Sequence, residues 1–158
     1  MQDIAAELRR TVDEAALALA EVPDAEAARR PAPGKWSQKE IIGHLVDSAA
    51  NNHARFVRAQ MQDDLVFPGY EQDAWVRVQD YQSVPWRDLV ELWRTYNLHI
   101  AHVIEHTPQP ALTAPRARHN LHEIAWRTVP ADRPTTLEYF MRDYVGHLRH
   151  HLAQALGR

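Results

Sequence analysis

The chain has 158 residues, 45% hydrophobic and 25% charged, the balance of an ordinary globular protein with one domain spanning 1–158. Its net charge of −3 leaves no basic footprint, which excludes nucleic acid as an expected partner, and the absence of cysteine removes disulfides, thiolate metal sites and a protein-borne thiol nucleophile together. No apolar run approaches ~18 residues and the opening MQDIAAELRR is no signal peptide, so no membrane partner is expected and the expected location is the cytoplasm.

Helix one is predicted from Gln2 to Glu21, with Ile4, Leu8, Thr11, Val12, Ala15 and Leu19 on one stripe. It reads as a packing element. Pro23, Pro31, Pro33 and Gly34 then make residues 23–35 a loop. Helix two opens on a capping box, Ser37 with Glu40 three residues later, and Trp36 is placed to staple onto Ile41. It continues to about Gln62, burying Ile41, Leu45, Ala49 and Phe56. His44 stands at the edge of that face. Around it runs a polar strip of Glu40, Asp47, Ser48, Asn51 and Arg55, all within about 60°. Such a strip is either a solvated flank or the wall of a buried site. Asn51 and Arg55 are the catalytic candidates beyond any metal ligands.

Residues 63–84 connect onward through a turn at Phe67-Pro68-Gly69-Tyr70 and a short helical piece, EQDAWVRVQDYQ. Tyr70, Trp75 and Tyr81 either close over a pocket or cap the end of the fold. Helix three is predicted from Pro85 to His106, with Leu89, Leu92, Trp93, Tyr96, Ile100 and Val103 as its core stripe. His99, His102 and His106 fall about 40° to 100° outside that stripe and read as a solvated flank. Residues 107–134 carry five prolines, a connection long enough to be functional or a crossover. Within it Arg116 and Arg118 are candidates for meeting an anionic group. His119 and His122 read as loop surface, and Leu121, Ile124 and Trp126 as a segment packed on the helices.

The last helix is predicted from Thr135, which with Glu138 forms a second capping box, to Leu156. His147 and His151 lie four apart, about 40° from one another on one face. Both border an apolar stripe that includes Phe140, Tyr144, Leu148 and Leu152, while His150 points about 60° the other way, toward solvent. This spacing lets two imidazoles hold one metal ion from a single helical turn. The same pattern without a ligand is a histidine-rich amphipathic helix. Gly43-His44-Leu45 and Gly146-His147-Leu148 repeat one tripeptide mid-helix, where glycine costs ~1 kcal/mol against alanine. Glycine there would permit close helix approach beside the site. A third imidazole from helix two completes a three-histidine set with open positions for water or substrate. Asp47 and Asp143, each one turn from a histidine, are the expected acceptors for the outer ring N–H groups. Four amphipathic helices with two long connections give an all-α four-helix bundle, about two thirds of the chain, that is not simply up-down-up-down.

KWSQKEIIGHLVDSAANNHARFVRAQ, YEQDAWVRVQDYQ and TLEYFMRDYVGHLRHHLAQ together resemble the DinB/YfiT-like superfamily of metalloenzymes. The order W-S…H-L…D-S followed by a C-terminal H-x-x-x-H carries the likeness, from Trp36 onward. The resemblance implies a four-helix bundle with one metal at three histidines, mapping onto His44, His147 and His151, which the helix faces already favour. It also implies relatives that are bacillithiol-using thiol S-transferases, mycothiol-using maleylpyruvate isomerases or metal-dependent hydrolases, often as homodimers. The expected activity is metal-dependent transfer of a low-molecular-weight, bacillithiol-like thiol to an electrophilic small molecule. The alternatives are a hydrolase using bound hydroxide and a non-catalytic metal-binding bundle. Zinc suits nitrogen ligands and an open tetrahedral site best, and nickel, manganese and iron are compatible with the same donors. Leu148 stands where an H-E-x-x-H protease keeps its general base, which argues against peptide hydrolysis. Without cysteine, any thiol must be a small co-substrate.

Overall fold

Four stripes of helical periodicity can leave water only by covering one another, so the helices form through their packing as much as through propensity. The computed structural model describes residues 2–158, with side chains from Ile4 onward. In chain order the helices are α1 (Gln2–Ala20), the one-turn α2 (Asp24–Ala27), α3 (Gln38–Ala59), α4 (Gln72–Gln79), α5 (Trp86–Glu105), the short α6 (Gln109–Thr113) and α7 (Leu121–Ile124), and α8 (Leu137–Leu156). No strand occurs among the described residues. Two isolated bridges, Leu65 with His119 and Arg116 with Thr135, tie the connections together.

α1, α3, α5 and α8 are the bundle. At 19, 22, 20 and 20 residues they hold about half of the chain, short of the two thirds expected. The short helices in the connections supply most of the difference. α1 packs against α5 and α8, and α3 packs against the same two. Helices α1 and α3 therefore sit across one diagonal of the square, and α5 and α8 across the other. Residues 21–37 and 106–136 make the two diagonal steps, and residues 60–85 join the neighbours α3 and α5.

The first capping box forms as expected, Ser37 Oγ accepting the Glu40 N–H at 3.2 Å and the Glu40 carboxylate accepting the Ser37 N–H at 2.9 Å. The second moves by one residue. Thr136 caps α8, its hydroxyl accepting the Tyr139 N–H at 3.1 Å. Thr135 is held extended instead, because its N–H and carbonyl are both bonded to the backbone of Arg116. On α5 the buried stripe runs through Leu89, Trp93, Asn97, Ile100 and Ile104, and Leu92 is half exposed. Asn97 is tolerated inside because its Oδ1 accepts the Tyr144 hydroxyl at 2.6 Å and its Nδ2 donates to the Trp93 carbonyl at 2.9 Å.

Two residues read as surface groups prove structural. Arg116 is buried and donates to the carbonyls of Gln62 at 2.7 Å, Ala111 at 3.1 Å and Ala59 at 3.4 Å. It satisfies orphan carbonyls at and beyond the end of α3 instead of meeting an outside anion. His119 is buried too, its Nδ1 accepting the Leu121 N–H at 3.1 Å while Nε2 lies 2.8 Å from the Arg133 carbonyl. Arg118 does stay at the surface and pairs with Asp64 at 3.3 Å.

Both mid-helix glycines make room for aromatic rings from the connections and not for a neighbouring helix. A Cβ on Gly43 would overlap the Tyr81 ring, and one on Gly146 would lie 3.0 Å from Trp126. Helix propensity alone would make alanine better by ~1 kcal/mol at either position. Gly43→Ala is instead expected to destabilise by about 1–3 kcal/mol, because the buried Tyr81 ring must move. Urea unfolding measures this, and a gain in stability would show that Tyr81 does not lie against Gly43.

Candidate metal centre

The contact between α3 and α8 sets three imidazoles face to face. His44 comes from α3 and is 1% exposed. His147 and His151 come from successive turns of α8 and are partly buried. The ring centroids lie 5.3 Å apart for His44 and His147, 4.8 Å for His44 and His151, and 4.6 Å for His147 and His151. One nitrogen from each ring falls within 4.8 Å of the other two. Nε2 of His44 and Nε2 of His147 are 3.4 Å apart. That matches the edge of a tetrahedron of nitrogens about 2.1 Å from a central zinc, which is about 3.4 Å.

Burial keeps these rings neutral. Desolvation, with a smaller push from His151, lowers His44 to about 4. Desolvation, then His151, His44 and His150, lowers His147 to about 3. His151 is lowered as well, mainly by burial. Near neutral pH all three therefore present lone pairs with no proton to displace. Nitrogens converging in a dry place, with no carboxylate among them, fit a cation better than they fit one another. His44 Nδ1 is also buried without a partner.

The outer ring nitrogens are not served by the expected aspartates. Asp47 accepts the Tyr81 hydroxyl at 2.6 Å and Gln79 Nε2 at 2.7 Å. Asp143 accepts the backbone N–H groups of Trp126 at 2.9 Å and Arg127 at 2.8 Å. Each carboxylate fastens a connection to a bundle helix. The partner that sequence reasoning missed is Gln154, whose Oε1 lies 3.0 Å from His151 Nδ1. When Nδ1–H donates there, the Nε2 lone pair is left facing the cluster. An i, i+3 scan from each histidine would have found it.

His147 also walls a cavity of about 430 Å³, together with Arg55, Asn52, Trp126, Phe140 and Tyr144. Of the aromatic residues expected to close over a pocket, Tyr70 lines this cavity and Trp75 and Tyr81 do not. Trp126 from the later connection lines it too, 6.4 Å from His147, while Trp36 stands 5.2 Å from His44 outside that lining. Of the two catalytic candidates, Arg55 lines the cavity, while Asn51 donates to the Asp47 carbonyl and is not in its lining. His150 is exposed, as are His99, His102 and His106 along α5. His102, Glu105 and His106 form a second, fully exposed group of donor atoms within 4.8 Å.

A family model described as the DinB superfamily matches residues 7–155. The chain belongs to the DinB superfamily. Among solved structures it is similar to YfiT from Bacillus subtilis, with a TM-score of 0.77 and 18% identity, over 97% of this chain and 82% of that one. YfiT is described as a probable metal-dependent hydrolase with an unusual four-helix bundle topology. At this identity the likeness establishes the fold. No curated protein matches the chain. No helix among the described residues is long and apolar enough to cross a membrane.

The neutral imidazoles of this DinB bundle carry a pH signature in the absence of metal. His44 and His147 have folded pKa values of about 4 and about 3, below the 6.5 of the unfolded chain. The unfolded state then binds more protons as pH falls, so their contribution is intact above about 6.5 and lost on acidification toward about 4. Metal-free protein is expected to unfold at lower urea at pH 5 than at pH 7. His147→Gln should flatten that slope, and an unchanged slope would show that His147 is not held in a dry site.

Proposed function

We propose that this bundle is a metal-dependent enzyme acting on a small molecule, with His44, His147 and His151 holding one divalent ion. The observation that carries the reading is the convergence of three neutral, desolvated ring nitrogens from two helices, one of them in the wall of a cavity. Three imidazoles leave the ion its full +2 charge, which strongly acidifies a thiol or water beside it. Zinc is the ion best suited to these donors.

Within this reading the reaction is transfer of a low-molecular-weight thiol to an electrophile. Support comes from the carboxylates. Asp143, the buried carboxylate of the cavity wall, already accepts two backbone N–H groups. Position 148 is a buried leucine. A reaction that needs only an acidified nucleophile suits such a site better than one that needs a separate general base. His147 would stand at the reacting end of the cavity, and Trp126, Phe140 and Tyr144 would exclude water from its walls. Hydrolysis is the second reading, supported by the likeness to YfiT.

Metal content after dialysis against limiting zinc tests the ligand set. His44→Ala, His147→Ala and His151→Ala should each lose most of the metal, while His150→Ala should retain it. Wild-type content in His44→Ala would remove α3 from the site. Chelation should lower the melting temperature of the wild type, since the ion binds the folded bundle. Thiol consumption in the presence of an electrophile, followed with and without metal, then separates transfer from hydrolysis. A homodimer is the expected assembly, which light scattering reads as twice the 18.2 kDa chain mass.

A further inference from the structure

Arg55 is an unusual residue for the middle of α3. Its side chain is 6% exposed, yet it makes no ion pair among the described residues. Its neighbours are neutral. Nη2 donates to the Pro68 carbonyl at 2.9 Å, Nη1 makes a long 3.4 Å bond to Asn52 Oδ1, and the Tyr70 ring centroid is 6.0 Å from Cζ. Burial without a counter-charge pushes the guanidinium down from its ordinary range. A guanidinium has five N–H donors in a planar fork, and the two bonds here leave the rest unengaged. Burying such a charge without a partner is costly, so a protein that keeps one beside a cavity has a use for it.

The carboxylates around the same cavity do not supply the missing charge. Asp143 is bonded to the Trp126 and Arg127 backbone. Glu71 and Glu123 are exposed, Glu123 with His122 Nε2 at 3.4 Å, and water screens both. The remaining lining is amphipathic, with Phe140, Tyr144 and Trp126 sharing the cavity wall with Arg55 and His147.

We propose that Arg55 is the substrate anchor, binding the carboxylate of a small anionic molecule whose apolar body lies along Phe140 and Tyr144 and whose reactive end reaches His147. This rests on the metal-centre reading for what happens at His147, and not for the binding itself. A planar carboxylate matches the arginine fork in a way that a neutral group of the same shape does not. One buried guanidinium matches one carboxylate, and the aromatic rings of Trp126, Phe140 and Tyr144 share the lining, so a monoanion with an apolar body is the preferred class.

The test uses benzoate and its neutral isostere benzamide, titrated calorimetrically into wild type, Arg55→Gln and Arg55→Lys, each with and without zinc. Metal content and melting temperature are recorded for every sample. Benzoate should bind metal-free wild type at least roughly tenfold more tightly than benzamide. Arg55→Gln should lose that preference while retaining wild-type zinc content, and benzamide binding should not change. If Arg55→Gln does not fold, Arg55→Lys carries the test, since it keeps the charge and loses the fork. It should weaken benzoate at least roughly threefold and leave benzamide alone. Benzoate binding that requires zinc, or that is equal in wild type and a folded Arg55 variant, would place the carboxylate elsewhere and overturn the proposal. So would the absence of benzoate binding in every form. Benzoate bound through Arg55 in a protein that retains no zinc would instead overturn the metal reading and leave this one standing.

Discussion

The structure depends on one contact, the meeting of α3 and α8 at the edges of their apolar faces. A histidine at the centre of an apolar stripe would be lost in the core, and one on the polar face would be solvated. At the edge it is dry enough to be neutral and still able to reach across to another helix. His44, His147 and His151 all occupy that edge, so their nitrogens converge within 4.8 Å. Desolvation is the first cause of every lowered histidine pKa in the cluster. The same burial that packs the bundle therefore keeps these candidate donors neutral.

The connections complete what the four helices begin. Tyr81 and Gln79 are fastened to Asp47, and Trp126 and Arg127 to Asp143. Each aspartate is one turn from a cluster histidine, so the clamps fix the connections relative to the histidine cluster. The glycines preceding His44 and His147 admit the Tyr81 and Trp126 rings. Arg116 and the Thr135 bridge do the same service further away, holding the start of α8 against the end of α3. Long as they are, these segments are bonded to the bundle helices at Pro68, Gln79, Tyr81, Arg116, Trp126 and Arg127.

This division explains what could be read from the sequence. The four bundle helices, the Ser37 cap and the edge position of His44, His147 and His151 follow from local periodicity, which one segment carries by itself. The short α2, α6 and α7 fall in segments read as a loop and a connection. The family resemblance pointed to the same residues. Roles settled by distant partners were not legible. Nothing near Arg116 says that it will cap α3, and nothing near His119 says that the Arg133 carbonyl will cover it. Thr135 and Thr136 are equally good caps until the bridge to Arg116 takes one of them. Asp47 and Asp143 sit at the right spacing to serve the histidines, but the Tyr81 hydroxyl and the backbone at 126–127 reach them. Leu92 was placed in the core because periodicity gives the stripe's direction and not its centre.

The charge distribution separates this centre from a structural metal site. A structural ion is closed in by ligands whose own negative charge offsets it. Here the three candidate donors have lowered pKa values, both oxygens of Asp143 and Oδ1 of Asp47 are engaged with other groups, and the buried cation of the cavity, Arg55, has no anionic partner among the described residues. An ion held by these histidines would add two further positive charges to a wall that has none to spare. A ligand from outside would offset them, and the cavity beside His147 is where it would enter. The bundle is electrostatically incomplete at one place, and that incompleteness is the physical basis for the proposal that the site is a place of chemistry and not of support.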